Sequence, residues 1–452
     1  MRFLYNIFFT IFFVLASPYY FMRMWRRGQW QTGFWQRFGV FDAKFKQSIT
    51  NRHVLWLHAV SVGEVNICTQ LIRALEPRMP NLKIVVSTTT TTGMGELQKK
   101  LPLHIGKFYY PVDRKKCVAR ALGTIRPEAV VLVEAEIWPN FIWRLSDQRT
   151  PLFLVNARLS AKSHRGYKRY GFLFRPLFEA FTGVGAQNEA DAAKLREIGC
   201  RPEAVRVPGN LKFDTANLNI TRPLDVPGLL AQIGVPASAL LLVAGSTHDG
   251  EEEILVEQFL RLRVKFPNLF LILAPRHFER AKNIGRQLAK SGVKLFYRTD
   301  ITATTRLAPG SVECLLVNTT GELMNFYQAA SVVFVGKSLT AQGGQNPIEP
   351  AALGKATVFG PNMQNFEDVA RIFLAQRAVI QVPDALELEK VFAGLLGNEA
   401  RRRELGERAA RVVRENMGAV DRTVDMIVSH LDTGELYIAP ENGEKSSKPG
   451  PG

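Results

Sequence analysis

Residues 53–60, HVLWLHAV, form a continuous apolar run that passes directly into the helical pattern VNICTQLIRALEPRM at residues 65–79. A second apolar run, LKIVVSTTT, follows at residues 82–90. A strand that is apolar throughout needs cover on both faces, and a strand–helix–strand order brings the second strand parallel to the first. These three segments therefore predict the first unit of a parallel sheet with helices on both sides.

The same alternation fills the N-terminal half of the chain and then starts again. Further strands are predicted at residues 128–138, 150–158 and 180–187, and in the C-terminal half at 240–246, 269–276, 312–319, 330–338 and 355–361. Between the halves, residues 216–237 contain three prolines and break the pattern, as an interdomain connection does. The prediction is an α/β protein of two doubly wound, Rossmann-like domains that face each other across a cleft, with ligands at the carboxyl ends of both sheets.

The domain boundaries follow from these breaks in the pattern. We expect a membrane anchor at residues 1–24, a basic domain at 25–215, a second domain at 216–436 closed by a helical stretch at 386–431, and a disordered tail at 437–452. The last residues, PENGEKSSKPGPG, contain no large apolar side chain around which a core could form.

The expected anchor is an apolar run followed by positive charge. Residues 4–21 are nearly all apolar, and Arg23, Arg26 and Arg27 follow them together with two tryptophans. At the rise of an α-helix this run is just long enough to cross the hydrocarbon core of a bilayer. A cleaved signal peptide has its basic residues before the apolar run, so the order seen here favours a retained anchor with a cytoplasmic domain after it. A buried core helix is the alternative. Crossing the bilayer and entering one leaflet both fit the pattern.

The net charge of +17 arises from the N-terminal part of the chain. Residues 1–215 contain 32 Lys and Arg against 15 Asp and Glu, whereas the remainder contains 26 of each kind. A basic half indicates an anionic partner, which can be nucleic acid, anionic lipid or a phosphorylated substrate. The four cysteines form no C-x-x-C pair and the seven histidines are dispersed, so we expect neither disulfides nor a metal site.

Polar residues follow the predicted strands of the N-terminal half, where the cleft is expected. Glu64 lies at the turn between the first strand and its helix, where it can take a proton from a substrate hydroxyl or simply cap the helix. Glu134 and Glu136 end the strand at 128–138, and two-residue alternation predicts that they share one face. We prefer a functional role for this pair over a structural pairing with arginines, because both residues fall at the edge of the cleft.

Basic residues are concentrated at 156–175, NARLSAKSHRGYKRYGFLFR, which has six Lys and Arg and no acidic residue. A solvated helix face explains this composition, but a surface for the phosphates of a lipid or a nucleic acid is the more specific interpretation. The neighbouring anchor favours lipid. Lys212, in GNLKFD, is expected at the domain junction, where it can meet charge on reacting groups.

The strand ends of the C-terminal half have polar motifs of their own. The turn at residues 245–247 opens a helix and predicts a phosphate site built from backbone N–H groups and hydroxyls. It lacks the G-x-G-x-x-G pattern, which argues against a dinucleotide. Arg276 ends the next strand, and Gly321 and Glu322 open another helix.

Residues 343–349, GGQNPIE, form the densest motif. Asn346 is expected to be the N-cap of the helix that follows, with Pro347 in its first turn. Glu349 is then placed to accept hydrogen bonds from ribose hydroxyls. Together with the motifs at the preceding strand ends, this segment predicts a nucleotide pocket.

Taken together, the segments HAVSVGE, EAEIWPN, NARLS, GNLKFD, GSTHDGEE, APRH, TGELM and GGQNPIE closely resemble, in order and spacing, the 3-deoxy-D-manno-octulosonic acid (Kdo) transferases of lipopolysaccharide assembly. The resemblance implies a GT-B fold and inverting transfer of Kdo from CMP-Kdo to a lipid A precursor of the lipid IVA type. It implies attachment to the cytoplasmic side of the cell inner membrane. The domain at 25–215 would bind the acceptor, and the domain at 216–436 the nucleotide-sugar donor.

The resemblance also implies roles for individual residues. Glu64 corresponds to the general base, and Glu134 and Lys212 correspond to groups that stabilise the transition state. The residues expected to contact CMP are Pro275, Arg276, Gly321, Glu322, Leu323, Asn346, Pro347, Ile348 and Glu349. The chain departs from the family at Ala135, where threonine is frequent, and at Gln345, where histidine is frequent.

Carboxylates are not clustered at the spacing of a divalent-ion site, so we expect no metal and no cofactor other than the donor substrate. Nucleic acid is not expected as a partner. Two alternatives remain open. One is a GT-B transferase that uses a UDP-sugar. The other is a non-catalytic, membrane-attached protein that binds anionic lipid, which explains the basic half but not the polar motifs of the neutral half.

Overall fold

The computed structural model describes residues 2–26, 31–134, 136–215 and 223–431. Within these residues, two parallel sheets of seven strands each have helices on both faces, and a long helix, α1 (Arg2–Arg26), precedes them. The expected architecture of two doubly wound α/β domains is confirmed. Ala135, residues 216–222 of the expected connection and the expected tail at 437–452 lie outside the described residues.

The first domain is built on a sheet whose spatial order is β3-β2-β1-β4-β5-β6-β7. Its strands are β1 His53–His58, β2 Leu82–Thr88, β3 Gly106–Tyr109, β4 Ala129–Val133, β5 Leu152–Ala157, β6 Gly183–Ala186 and β7 Val205–Arg206. Its helices are α2 Ala43–Ile49, α3 Val62–Leu75, α4 Thr91–Lys100, α5 Lys115–Ile125, α6 Pro139–Asp147, α7 Ala161–Arg169, α8 Gly171–Glu179 and α9 Glu189–Glu197. The strand order reverses between β1 and β4, which opens a crevice at the carboxyl edge there.

Strand β1 explains why this sheet is covered on both faces. Val54 and Trp56 are fully buried in a core shared with α5 and α6, and Leu55 and Leu57 are fully buried in a core shared with α3. Successive side chains of a strand point to opposite faces, so a run that is apolar at every position needs a core on each side.

The second domain repeats this plan with the spatial order β10-β11-β9-β8-β12-β13-β14. Its strands are β8 Leu240–Thr247, β9 Leu269–Pro275, β10 Leu295–Tyr297, β11 Cys314–Leu316, β12 Val332–Val335, β13 Ala356–Phe359 and β14 Ile380–Gln381. Its helices are α10 Val226–Gln232, α11 Glu251–Lys265, α12 Ala281–Leu288, α13 Leu323–Ala329, α14 Ile348–Ala352, α15 Glu367–Ala375, α16 Ala385–Leu396 and α17 Glu399–Asn416. Here the reversal, and therefore the crevice, lies between β8 and β12.

The expected connection at 216–237 is only partly correct. Helix α10 lies inside it, and Val226, Leu230 and Ile233 are buried in the core of the second domain. Proline lies in the first turn of α10, where its missing N–H costs no hydrogen bond, so this proline starts a helix and does not mark a linker.

The last described helix, α18 (Ala419–Val428), returns to the first domain. Val424 and Ile427 are buried against α3, and Asp214 caps the helix by accepting hydrogen bonds from Gly418 N (2.7 Å) and Val420 N (2.6 Å). The expected helical stretch at 386–431 is therefore three helices, of which α18 departs from the second domain because its apolar face fills the core beneath β1.

Candidate active site

Glu64 lies in the first turn of α3, beside the carboxyl end of β1. Ser61 caps this helix by accepting a hydrogen bond from Glu64 N (3.2 Å), and Glu64 Oε2 accepts one from Val60 N (2.7 Å). The pair resembles a capping box, except that Glu64 binds the N–H of the residue before the N-cap, so the capping contact considered from the sequence is present. The side chain is only half-buried, so the contact leaves part of the carboxylate open to solvent.

The surroundings of Glu64 favour its protonated form. Burial raises the pKa of Glu64 above its ordinary value, and the charge of Glu134 adds to the shift, whereas hydrogen bonds from Val60 and Ser61 and the charge of His58 oppose it. A carboxylate with a raised pKa is a stronger base than an exposed one. Glu64 is therefore suited to remove a proton from a hydroxyl group.

The hydroxyl-rich run after β2 holds the loop in front of Glu64. Thr90 Oγ1 donates to Val60 O (3.0 Å) and accepts from Gly93 N (2.9 Å), which caps α4. A Cβ at Gly93 would lie 2.3 Å from Thr88 Oγ1, so only glycine allows this approach. These residues shape the active-site loop through its backbone.

Glu134 directly follows β4, on the other side of the crevice. Its backbone lies in the left-handed region (φ 60°), a conformation that costs free energy in a residue other than glycine and that recurs at functional sites. Asn156 Nδ2 donates to Glu134 Oε1 at 3.4 Å, and Lys212 Nζ and Arg158 Nε lie 3.8 Å from the carboxylate. The carboxylate therefore gathers two cations at the edge of the first sheet.

Glu136 has different partners, so the predicted common face of Glu134 and Glu136 is wrong. His58 Nε2 lies 3.1 Å from Glu136 Oε2, and Trp138 Nε1 donates to the same oxygen (3.0 Å). Burial alone would raise the pKa of Glu136, but the hydrogen bond and charge of His58, with the bond from Trp138, lower it overall. Two-residue alternation holds only in extended backbone, and the chain leaves that conformation at Glu134.

Lys212 joins the two domains. Besides its ion pair with Glu134, its Nζ donates to Asn365 O (3.1 Å), which lies between β13 and α15 of the second domain. Asn365 N in turn donates to Gly343 O (2.7 Å). Lys212 therefore lies at the junction of the two domains, as predicted from the sequence.

Arg158 also lies in the cleft. Its Nη1 donates to Asp368 Oδ2 of α15 at 2.7 Å. The basic segment 156–175 therefore divides: Arg158 bridges the domains, whereas Lys162 and Arg165 on α7 are exposed. Only the exposed part is available for an external anionic surface.

The carboxyl edge of the second sheet is strongly cationic. Burial, followed by the charges of Lys337, His277, Arg280 and Arg276, lowers the pKa of His248 to about 4. Arg276 is exposed directly after β9, and its N–H donates to Thr247 O (3.0 Å). Such a concentration of positive charge at a switch point favours an anionic ligand.

Residues 245–247, the predicted phosphate loop, end β8, and α11 begins only at Glu251, so their role toward a phosphate stays a prediction. Buried Glu251 accepts hydrogen bonds from His248 N, Lys337 N, Ser338 N and Leu339 N, all between 2.7 and 2.9 Å. These N–H groups, which follow β8 and β12, are therefore occupied by a carboxylate of α11. The side-chain cations at this edge include Lys337, Arg280 and Arg276.

The segment 321–323 opens α13, as predicted. Gly321 has φ 83°, and Glu322 is the N-cap residue. The Glu322 carboxylate is held by Arg298 Nη2 (3.0 Å) and Thr319 Oγ1 (2.5 Å). Glu322 is thus fixed by its own domain, and its role toward a nucleotide stays a prediction.

The segment 346–349 opens α14, with Pro347 as the N-cap residue in place of Asn346. Asn346 Oδ1 still accepts from Ile348 N (3.0 Å), and its Nδ2 donates to Glu349 Oε1 (3.1 Å). Burial raises the pKa of Glu349, while Asn346 and the charge of Arg276 oppose the shift. Glu349 and Arg276 therefore belong to one electrostatic group.

Four contributors to the site escaped sequence reasoning: His58, Asn156, His248 and Lys337. His58, His248 and Lys337 end or follow strands that flank the two reversals of strand order, and Asn156 lies near the end of β5, the neighbour of β4. Lys337, in VGKS, directly follows the strand β12, and this position at a strand end is a signal that could have marked it as a candidate site residue. His58 and Asn156 lie inside predicted apolar strands, where a single polar residue gives no such signal.

Two Rossmann-like domains with polar groups at the carboxyl edges of both sheets have the architecture of a GT-B fold. A solved structure of similar fold is UDP-GlcNAc 2-epimerase from Neisseria meningitidis bound to UDP-GlcNAc, with a TM-score of 0.54 at 14% identity over 83% of this chain and 100% of that one.

Sequence comparison identifies the family. A profile described as 3-deoxy-D-manno-octulosonic-acid transferase matches residues 32–215. The 3-deoxy-D-manno-octulosonic acid transferase of Bordetella pertussis is 33% identical over 432 residues, 92% of this chain and 97% of the relative. That of Haemophilus influenzae is 30% identical over 380 residues, 84% and 87% of the two chains. The chain belongs to the Kdo transferase family, the glycosyltransferases that add Kdo in lipopolysaccharide biosynthesis.

Proposed function

We propose that this chain transfers Kdo from CMP-Kdo to a phosphorylated lipid A precursor of the lipid IVA type, with inversion at the anomeric carbon. The observation that carries the proposal is the grouping of Glu64, Glu134 and Lys212 at the crevice of the first sheet. Lys212 is linked through Asn365 to Gly343 of the second domain.

In this proposal Glu64 acts as the general base. It takes the proton of an acceptor hydroxyl while the hydroxyl oxygen attacks the anomeric carbon of Kdo from the face opposite CMP. The bond between the anomeric carbon and the CMP oxygen breaks, and its electron pair leaves with the phosphate. Attack and departure on opposite faces give inversion.

The charges of both domains are arranged to favour this step. In this proposal Lys212 and Arg276 are the cations that lie nearest to the leaving phosphate. The positive charge of Lys337 adds to theirs. Glu134 stabilises the transition state by holding Lys212 in place. The negative charge of the phosphate is met by side chains, so the proposal includes no metal ion.

We propose that the first domain takes the acceptor and that α1 attaches it to the cytoplasmic face of the inner membrane. By length and composition, α1 is the one described helix that is apolar enough to cross a membrane. The exposed Lys162 and Arg165 of α7 suit the phosphates of the acceptor. The donor binds to the second domain through Pro275, Arg276, residues 321–323 and residues 346–349.

The variant Glu64→Gln tests the proposal, because glutamine can still accept the hydrogen bond from Val60 N while it cannot accept a proton. Transfer is expected to fall by roughly a hundredfold to ten-thousandfold, the contribution of a general base, with CMP binding unchanged in calorimetry. Glu76→Gln, at the other end of α3, is the matched control. Activity close to that of this control would rule out Glu64 as the base.

A competition experiment tests the donor. CMP is expected to inhibit transfer at far lower concentrations than UDP, and mass spectrometry of a lipid A precursor incubated with CMP-Kdo should show the mass of added Kdo. Preferential inhibition by UDP would favour the alternative GT-B transferase.

A further inference from the structure

Helix α1 has two unlike faces. Its outward face consists of large apolar side chains at helical spacing, all more than 40% exposed: Phe3, Leu4, Ile7, Phe8, Ile11, Phe12, Val14 and Leu15. The residues between them, such as Tyr5, Asn6 and Phe13, are half-buried toward the first domain. One apolar stripe outside and one mixed stripe inside is the pattern of a helix that lies on a surface.

The first turns of α1 are fastened to the first domain by polar contacts. Arg2 forms a two-bond ion pair with Asp147 (2.8 and 3.0 Å) at the end of α6. Tyr5 Oη donates to Asp113 Oδ2 (2.8 Å). The side-chain amide of Asn6 exchanges two hydrogen bonds of 3.1 Å with that of Asn140. We name these three pairs the α1 latch.

Contacts continue along the helix beyond the α1 latch. The guanidinium group of Arg114 lies over the ring of Phe13 at 5.7 Å. Near the other end, the ring of Phe21 lies 6.5 Å from that of Phe34. From Arg2 to Phe21 the helix rises about 28 Å, so it touches the domain over roughly the thickness of a hydrocarbon core.

This arrangement is incompatible with a helix that crosses the bilayer. Crossing would place residues 2–6 on the membrane side opposite to residue 21. Their partners Asp113, Asn140 and Asp147 cannot follow, because the segments that contain them pack in the core of the first domain.

We propose that α1 lies in the plane of an anionic bilayer, with its outward stripe in the headgroup and upper acyl region and its α1 latch closed, so that the N-terminus stays on the same side as the catalytic domains. The inference rests on the proposed membrane attachment and fixes its geometry. The charge of the first domain favours an anionic bilayer as the binding partner, since residues 1–215 have a net charge of +17.

Other exposed aromatic residues of the first domain fit the same surface. Trp35 is 65% exposed and Phe172, on α8, is 71% exposed, and α8 packs on α6, the helix that holds the α1 latch. Tyr170 and the basic residues of α7 accompany Phe172. Aromatic rings among basic side chains are typical of the membrane–water interface.

The α1 latch also reaches the active site. Asp113 accepts hydrogen bonds from Asn140 N (3.0 Å) and Phe141 N (2.9 Å), and so caps α6. The residues just before this helix, Glu136 and Trp138, form the group around His58. The α1 latch and the group around His58 are thus joined through Asp113 and the backbone at the start of α6.

The experiment determines the side of the membrane on which the N-terminus lies. The full chain receives a protease-cleavable tag before Met1 and the substitution Leu103→Cys, at a position that is 99% exposed. The natural thiols Cys68, Cys117, Cys200 and Cys314 are buried, so an impermeant maleimide reports on the introduced thiol. Inside-out inner-membrane vesicles and spheroplasts are treated with protease and, in parallel, with maleimide.

The in-plane arrangement predicts that tag cleavage and thiol labelling occur together in inside-out vesicles and that both are lost in spheroplasts. Cleavage of the tag in spheroplasts, with labelling only in inside-out vesicles, would show a crossing helix and overturn the inference. Flotation with vesicles of phosphatidylethanolamine and phosphatidylglycerol separates this failure from failure of the proposed attachment, since a crossing helix floats as well and an unattached protein does not.

A second variant keeps the inference testable if the tag disturbs folding. Leu15→Glu, on the outward stripe, is expected to weaken vesicle binding at least about tenfold, because a buried leucine side chain is replaced by a charge. Leu103→Glu, outside α1, should bind as the parent does. Equal binding of all three proteins would contradict a lipid-facing stripe.

Discussion

At the scale of single residues, the site depends on how each carboxylate is balanced between burial and hydrogen bonding. Glu64 and Glu136 are both partly buried, yet the pKa of Glu64 is raised and that of Glu136 is lowered. The difference lies in their partners. Glu136 has the imidazole of His58 and the indole N–H of Trp138, whereas Glu64 has the backbone N–H of Val60 and faces the like charge of Glu134. One carboxylate is thereby kept ionised and the other is made basic.

The raised pKa of Glu64 predicts the acid limb of the activity profile. A base works deprotonated, so kcat/KM should fall as pH decreases through a midpoint above the ordinary glutamate value. Since Glu134 contributes to the shift, Glu134→Gln should move this midpoint to lower pH while it also lowers the maximum. Initial rates measured across a range of pH give both the midpoint and the maximum of kcat/KM. A midpoint that does not move would show that the charge of Glu134 does not affect the pKa of Glu64.

The cations around His248 predict a change in its titration on ligand binding. Their field helps to lower the pKa of His248 to about 4, and a bound phosphate would neutralise part of this field. Addition of CMP should therefore raise the pKa of His248 toward its ordinary value. NMR titration of the imidazole signals with and without CMP measures the shift. Unchanged titration of His248 would place the phosphate elsewhere.

The residues of the site differ in how visible they are in the sequence. Glu64 and Arg276 each come shortly after an apolar run, so their place at a strand end was predictable, and Glu349 was recognisable from the helix start at 346–349. The separation of Glu134 from Glu136 was not, because it results from one left-handed backbone angle. Nor was the use of Glu251 as a backbone acceptor, which depends on a loop 86 residues further along the chain.

At the scale of elements, the strands that were predicted are those with a buried apolar run. The strands that were missed, β3, β7, β10 and β14, lie at the ends of the two sheets. Each has only two to four residues, and an edge strand has one neighbour and needs no long apolar run. Helix α18 was predicted as a helix, but its return to the first domain follows from Asp214 and the core beneath β1, which amphipathic spacing does not specify.

The cap of α6 predicts how stability depends on pH. Burial raises the pKa of Asp113 to about 7, against the hydrogen bonds from Asn140, Tyr5 and Phe141. Between about pH 4 and pH 7 the folded state then holds a proton that the unfolded state has lost. This contribution to stability is fully present below that window and is lost as pH rises through it.

Asp113→Asn should therefore flatten the decline of the free energy of unfolding between pH 5 and pH 7, measured by urea denaturation. Asp147→Asn is the matched control from the same α1 latch. The hydrogen bond from Arg2 lowers the pKa of Asp147, so its contribution changes only in more acidic solution. A slope that Asp113→Asn leaves intact would show that another group titrates.

At the scale of the whole molecule, the active site exists only where two separately folded sheets meet. The first sheet provides the proposed base, Glu64, and the second provides the cationic edge, and before α18 the described chain returns from the second domain to the first. Polar contacts across the cleft join Arg158 to Asp368 and Lys212 to Asn365. Contacts of this kind hold a closed form without preventing it from opening.

The bridge between Arg158 and Asp368 predicts that domain closure is sensitive to charge. Asp368→Asn removes a half-buried ion pair of 2.7 Å and should populate the open form, which raises the radius of gyration in solution scattering. The donor KM should rise about twofold to tenfold, as expected for loss of a partly exposed pair that favours the binding-competent state. Glu367→Gln, which changes the neighbouring exposed carboxylate paired with Arg371, is the control.

Because salt screens exposed charges, high ionic strength should shift the wild type toward the behaviour of Asp368→Asn and leave that variant nearly unchanged. If the variant and the control scatter alike and bind the donor alike, the bridge does not hold the domains together, and Lys212 is left as the residue that couples base to donor.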